Sequence, residues 1–79
     1  MSHLKEIILP KELGVGVESL IVFWNKEPGE TFKEGELLVE VQTDKVAFEV
    51  AAPFSGTLAA VKVKRGETAK GGQVIATAY

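Results

Sequence analysis

Two short runs in the middle of the chain, Glu36-Leu-Leu-Val-Glu-Val41 and Val46-Ala-Phe-Glu-Val50, carry the clearest alternation of apolar and polar positions. Both are rich in the β-branched and aromatic residues that suit a pleated, half-buried surface. The pair predicts a β-hairpin with Asp44 and Lys45 at its tip. If the loop has two residues, Thr43 faces Val46, Val41 faces Phe48 and Val39 faces Val50. Period two then gathers Val39, Val41, Phe48 and Val50 on a buried face and turns Glu40, Gln42, Ala47 and Glu49 outward. A slip of one residue would carry all four apolar side chains into water, so the pattern fixes the register and gives Lys45 a defined place. Asp-Lys lacks the glycine or asparagine that primed hairpin turns favour and suits an ordinary type I turn. Two readings follow: a solvated tip in which Asp44 bonds its own turn, or a turn that gives up local preference to keep particular side chains.

The rest of the pattern is also strand-like. Lys5 to Leu9 form a short apolar run that Pro10 ends. Lys11 to Val17, with Gly14 and Gly16, read as a loop needing positive φ at one of those glycines, either a plain connection or a recognition loop. The stretch from Glu18 to Asn25 is apolar on both faces, which calls for a bulge or for a strand covered on both sides. Trp24 reads as a core anchor. Pro28-Gly29 and the segment from Ala52 to Gly56 punctuate turns, and Thr57 to Lys64 form another strand. Gly29-Glu30-Thr31 recurs as Gly66-Glu67-Thr68, a displacement of 66 − 29 = 37 that also pairs Gly35 with Gly72 and Leu38 with Ile75. Two similar halves, each too small to bury its apolar face alone, predict an all-β fold of two four-stranded antiparallel sheets. The expected architecture is a flattened eight-stranded β-barrel or sandwich with pseudo-twofold symmetry and no helix. The same displacement maps Gln42 onto Tyr79 and Lys45 onto Ile8, which sets the hairpin tip at the opposite end from the chain ends.

Composition narrows the function. Seventy-nine residues, 46% hydrophobic, make a single domain over 1–79, near the size at which one core becomes marginal. No cysteine is present, which excludes disulfides and thiolate metal sites. A net charge of −2 with dispersed lysines gives no footprint for nucleic acid. No apolar run approaches the roughly 20 residues of a membrane span, so no membrane role is expected and a soluble intracellular protein is. The lone histidine, His3, leaves acid-base and zinc catalysis without their usual groups, and the facing carboxylates Glu40 and Glu49 read as a solvated face. A carrier or binding module is expected rather than an enzyme.

Leu9-Pro10, Gly14-Val-Gly16, Trp24, Pro28-Gly29-Glu30, Gly35, Glu40-Val41, Thr43-Asp44-Lys45-Val46, Glu49-Val50, Ala52-Pro53, Gly56, Gly66-Glu67 and Gly72 together resemble the lipoyl domain of the dihydrolipoamide acyltransferases of 2-oxo acid dehydrogenase complexes. The resemblance covers nearly the whole chain and belongs to the biotinyl/lipoyl attachment family. It implies that Lys45 carries lipoic acid in amide linkage, installed by a lipoate ligase or lipoyl transferase. The arm would be reductively acylated by a thiamine-diphosphate 2-oxo acid decarboxylase, would pass the acyl group through the acyltransferase catalytic core to coenzyme A, and would be reoxidised by a flavin dihydrolipoamide dehydrogenase. The resemblance also implies recognition by Gln42, Asp44, Val46 and Glu49 and by the loop Lys11, Glu12, Leu13, Gly14, Val15, Gly16 and Val17. An isolated monomer is expected, cytoplasmic in a bacterium and in the mitochondrial matrix of a eukaryote.

The chain departs from the family pattern at Gln42, where glutamate is usual, at Val46, often alanine, and at Ser19, commonly glycine. Leu20 and Phe23 are apolar where relatives are often polar. Biotin carrier domains share the architecture but flank their lysine with methionines, and Met1 is the one methionine here. A lipoylated glycine-cleavage carrier would be longer. An unmodified β-sandwich binding module is the remaining alternative.

Overall fold

The structure, a computed structural model, describes residues 4–11 and 16–79. His3 and the loop residues Glu12, Leu13, Gly14 and Val15 lie outside the described residues. Eight strands follow one another: β1 (Lys5–Ile8), β2 (Glu18–Trp24), β3 (Thr31–Phe32), β4 (Leu37–Gln42), β5 (Ala47–Ala51), β6 (Gly56–Val61), β7 (Thr68–Lys70) and β8 (Val74–Ala78). One sheet has the order β1-β8-β6-β3 and the other β5-β4-β2-β7, with every pairing antiparallel. Exchanging each strand for the one four places away converts one order into the other, which is the expected pseudo-twofold. The sheets stay separate, so the sandwich form is the one realised, and the described residues contain no α-helix.

The repeat extends to single hydrogen bonds. Glu30 Oε1 accepts from the Glu27 N–H at 2.8 Å, and Glu67 Oε1 accepts from the Lys64 N–H at 2.7 Å. Glu36 and Gln73 do the same for Lys33 and Lys70 at 2.9 and 3.0 Å. Each side chain closes the tight turn that precedes it, and Gly35 and Gly72 supply the positive φ, +87° and +88°, that these turns require. Glutamine serves as well as glutamate because only an acceptor oxygen is needed.

The first strand breaks the displacement of 37. The Leu9 N–H donates to Gln73 O as the Ala52 N–H donates to Glu36 O, so Leu9 corresponds to Ala52, a displacement of 52 − 9 = 43. The six additional residues fall in the β1–β2 connection. Lys45 therefore maps onto position 2, not Ile8, while Gln42 still maps onto Tyr79.

The core lies between the sheets and repeats with the same symmetry. Ile21 and Leu58, and Leu38 and Ile75, are equivalent pairs that are all fully buried. Burial of side chains of this size contributes about 1.5–3 kcal/mol each relative to exposure. Val39, Val41 and Val50 are buried as expected. Trp24 and Phe48, expected inside with them, are only half-buried and pack against the core from its edge. Trp24 sits there because its indole N–H needs an acceptor, and Nε1 donates to Val63 O at 2.9 Å.

The two-faced stretch is a bulge. On β2, Ile21 pairs with Val41 and Phe23 with Glu40, which leaves Val22 as the extra residue. Ser19 and Ile21 point inward before it; Leu20, Val22 and Phe23 all face outward, and alternation then resumes with Trp24. The bulge changes the parity of the strand so that one chain segment can bury both Ile21 and the Trp24 ring.

Candidate functional site

Strands β4 and β5 form the expected hairpin in the expected register: Gln42 opposite Ala47, Val41 opposite Phe48, Glu40 opposite Glu49 and Val39 opposite Val50. The Thr43 N–H donates to Val46 O at 2.8 Å, which leaves Asp44 and Lys45 as a two-residue tip. Among the described residues no non-glycine has positive φ, so the turn is not of the primed type. A side chain closes it together with that backbone bond. Thr43 Oγ1 accepts from the Lys45 N–H at 3.2 Å and from the Val46 N–H at 3.1 Å, and its hydroxyl lies 3.3 Å from Val46 O. A hydroxyl that bonds backbone one turn ahead mimics a turn hydrogen bond, so it can hold a tip that lacks glycine.

This corrects one reading of the tip. Asp44, the candidate for turn stabilisation, makes no hydrogen bond or ion pair among the described residues; Thr43 does that work. The signal was present in the sequence, since a threonine hydroxyl can accept from the backbone N–H two residues further along the chain.

Lys45 is exposed and has no carboxylate partner within salt-bridge distance among the described residues. At the far end of the hairpin, the rings of Phe54 and Phe32 meet at a tilt of 51° with centroids 5.8 Å apart, and Lys5 Nζ lies 4.9 Å from the centroid of the Phe54 ring. Six residues of extended chain, roughly 20 Å, separate Ala51 from Lys45, and the long dimension of the molecule is 39 Å. The lysine thus stands away from the Lys5 end of the chain.

The other expected recognition residues divide by place. Asp44 and Val46 are exposed beside Lys45, and Gln42 and Glu49 are exposed on the outer face of the sheet. Leu20 pairs with Gln42, so β2 extended back to Glu18 reaches the level of Asp44. Gly16, with φ +90°, and the exposed Val17 therefore lead out of the loop at the hairpin-tip end. At the other arm of the loop the Lys11 side chain lies against Gly72, two residues past Lys70, the partner of Glu18.

An exposed primary amine at the end of a long stem, on a backbone held by Thr43, is suited to carrying a covalent arm. A family profile described as "Biotin-requiring enzyme", the biotin/lipoyl family, matches residues 5–78. The chain belongs to the biotinyl/lipoyl attachment family.

Within that family the similarity is to lipoyl domains. The chain is 42% identical over 67 residues to the dihydrolipoyllysine-residue acetyltransferase component of the pyruvate dehydrogenase complex of Acholeplasma laidlawii, covering 84% of this chain and 12% of that protein. It is 39% identical over 72 residues to the dihydrolipoyllysine-residue succinyltransferase component of the 2-oxoglutarate dehydrogenase complex of Bacillus subtilis strain 168, covering 91% and 17% respectively. The chain thus spans under a fifth of the length of either relative. The solution structure of the lipoyl domain of the Azotobacter vinelandii 2-oxoglutarate dehydrogenase complex superposes with a TM-score of 0.74 at 30% identity, covering 94% of both chains. A single-chain, multi-domain long-chain acyl-CoA carboxylase contains the same fold, with a TM-score of 0.81 over 99% of this chain at 17% identity. The kinship is with lipoyl carrier domains, which are non-catalytic parts of acyltransferase components.

Proposed function

We propose that Lys45 is the attachment point of lipoate and that the domain carries acyl groups on this arm between the active sites of a 2-oxo acid dehydrogenase complex. The supporting observation is the placement of Lys45: exposed, without a carboxylate partner among the described residues, at a tip whose backbone is fixed by Thr43 and by the register of β4 and β5. The hairpin fixes where the amine starts and the four-carbon stem leaves it free to sweep. In amide linkage, Lys45 would hold lipoate, which would supply a ring disulfide able to take up an acyl group together with two electrons from a thiamine-diphosphate decarboxylase, with coenzyme A at the acyltransferase core as the acyl acceptor and a flavin dehydrogenase as the oxidant of the resulting dithiol.

The chain's own residues position and present. Thr43 holds the turn, the buried valines of β4 and β5 hold the register, and Asp44 and Val46 flank the amine and are available to partners. Weak binding to each partner fits a carrier that must leave each site, with tethering supplying effective concentration.

Mass spectrometry of the protein produced alongside its lipoylation enzymes tests the assignment. A lipoyl increment on the peptide containing Lys45 is expected. A biotinyl increment there would move the domain to the other branch of its family, and an unmodified Lys45 would leave a binding module.

A further inference from the structure

The outer face of the β5-β4-β2-β7 sheet changes character along its length. Beside the hairpin tip it is uncharged: Gln42 and Ala47 lie opposite each other, and Leu20 pairs with Gln42 from the other side. Val22 follows Leu20 outward at the bulge, and the two are 37% and 42% exposed respectively. Burial of Trp24 explains the bulge but asks for no apolar side chain on the solvent side. Val22, Gln42 and Ala47 line a shallow depression that ends, away from the tip, at the facing pair Glu40 and Glu49. Two of the positions at which the chain departs from the family pattern, Leu20 and Gln42, fall within this uncharged stretch.

We infer that Leu20, Val22 and Ala47 form a resting place for the lipoyl arm carried by Lys45 of the same molecule. The inference rests on the lipoyl reading of Lys45. Reach agrees with it. The lysine stem and the acyl chain together extend about 13 Å, the rise of four residues of strand; Ala47 is two residues from Lys45, and Leu20 stands on the second strand over, beyond Gln42. The apolar depression between Ile7, Ile8, Val50 and Pro53 begins only at Val50, beyond that reach. Chemistry agrees as well. The amide linkage removes the lysine charge, so a neutral chain and an apolar ring lie beside a neutral patch, and Gln42 presents no carboxylate that a chain lying over it would have to strip of water. Attachment then selects this occupant over any free one. A separate molecule loses translational freedom on binding, whereas the arm is held beside the patch at an effective concentration of about a millimolar, so a contact too weak to retain a free ligand is still populated. A contact that weak also releases the arm readily, which keeps rest compatible with carriage.

The test uses the domain with and without lipoate on Lys45, and the lipoylated variants Leu20→Ser/Val22→Ser, Gln42→Glu and Ile8→Ser, each checked by intact mass. All the altered side chains are at the surface, so the variants should unfold at a similar temperature. In the lipoylated parent, nuclear Overhauser effects should join the methylene protons of the arm to the methyl groups of Leu20 and Val22, and amide shifts between the two forms should extend from the tip to residues 20–22, 42 and 47. These contacts should vanish in Leu20→Ser/Val22→Ser, weaken in Gln42→Glu and persist in Ile8→Ser, whose exposed apolar side chain lies on the other sheet. Reduction of the ring disulfide by dithiothreitol should run about threefold faster in Leu20→Ser/Val22→Ser than in the parent, which has the same charge, because attack on the parent waits for the fraction of molecules whose arm is off the surface; Ile8→Ser should match the parent. No contact between the arm and Leu20 or Val22, or equal reduction rates in the parent and the double variant, overturns the resting place and leaves Lys45 as the lipoyl site. Contacts that fade on dilution would put the arm of another molecule on the patch and overturn it too. Absence of a lipoyl increment on Lys45 overturns this inference and the carrier reading together.

Discussion

Replacing Thr43 by valine isolates the side chain that closes the lysine turn. Valine keeps the β-branch and the strand preference and removes only the hydroxyl, so the Lys45 and Val46 N–H groups lose an acceptor at 3.2 and 3.1 Å. Both bonds are longer than the usual 2.9–3.0 Å for N–H···O, and both groups lie at the surface, where water replaces part of what is lost. Each bond then contributes about 0.5 kcal/mol, the low end for a protein hydrogen bond, and the substitution costs about 1 kcal/mol. For a domain of this size that lowers the thermal midpoint by roughly 4–8 °C. Asp44→Ala is the matched control, since Asp44 makes no hydrogen bond or ion pair among the described residues, and it should change stability by less than about 0.5 kcal/mol. Thermal and urea unfolding of the three proteins, followed by circular dichroism, give the comparison. Equal destabilisation by the two substitutions, or an effect of Asp44→Ala alone, would refute the assignment of turn closure to Thr43.

Ser19 is buried with no partner for its hydroxyl among the described residues, so Ser19→Ala should stabilise the domain by about 1 kcal/mol in urea unfolding. Trp24→Phe removes the indole N–H that bonds Val63 O and should cost about 1–2 kcal/mol, read by the same method. Glu36 has a pKa held below its ordinary 4.5, first by the Lys33 N–H and then by Lys26, whose Nζ lies 3.0 Å from Oε2. A carboxyl that is more acidic when folded adds stability above its unfolded pKa and loses it as pH falls through the lower folded value. The midpoint should therefore drop on acidification below about pH 4.5, and Glu36→Gln, which keeps the turn bond as Gln73 does at the equivalent position, should lessen that drop.

Much of the hairpin could be read from the sequence because alternation over Val39, Val41, Phe48 and Val50 admits a single register. The clash of periods from Glu18 to Asn25 called for a bulge or for a strand covered on both sides, and the pairing of β2 with β4 shows the bulge, at Val22. The repeat was legible where turns demand glycine and an acceptor, at Gly29, Gly35, Gly66 and Gly72. It misled at the first strand, where the extra loop residues shifted the count: Leu9-Pro10 answers Ala52-Pro53 at a displacement of 43, and carrying the 37 of the glycine turns back to β1 passes over that match. Half-burial of Trp24 and Phe48 was hidden because apolarity shows which face a side chain occupies, not how near the sheet edge it lies. Aspartate in a turn drew attention that belonged to Thr43, because both residue types can bond nearby turn backbone and only geometry shows which one does.

The most direct test of the account exchanges the two tip residues. The variant Asp44→Lys/Lys45→Asp keeps composition and net charge and leaves Thr43 and the buried face of the hairpin untouched, but moves the amine by one Cα step, about 3.8 Å, and redirects it. Intact and peptide masses after exposure to the lipoylation enzymes compare it with the parent. The parent should carry the lipoyl increment on Lys45 and the exchanged protein none, with both equally folded. Full modification of the exchanged protein would show that the enzyme reads a nearby lysine rather than a placed one, and would contradict the claim that the fold exists to position Lys45.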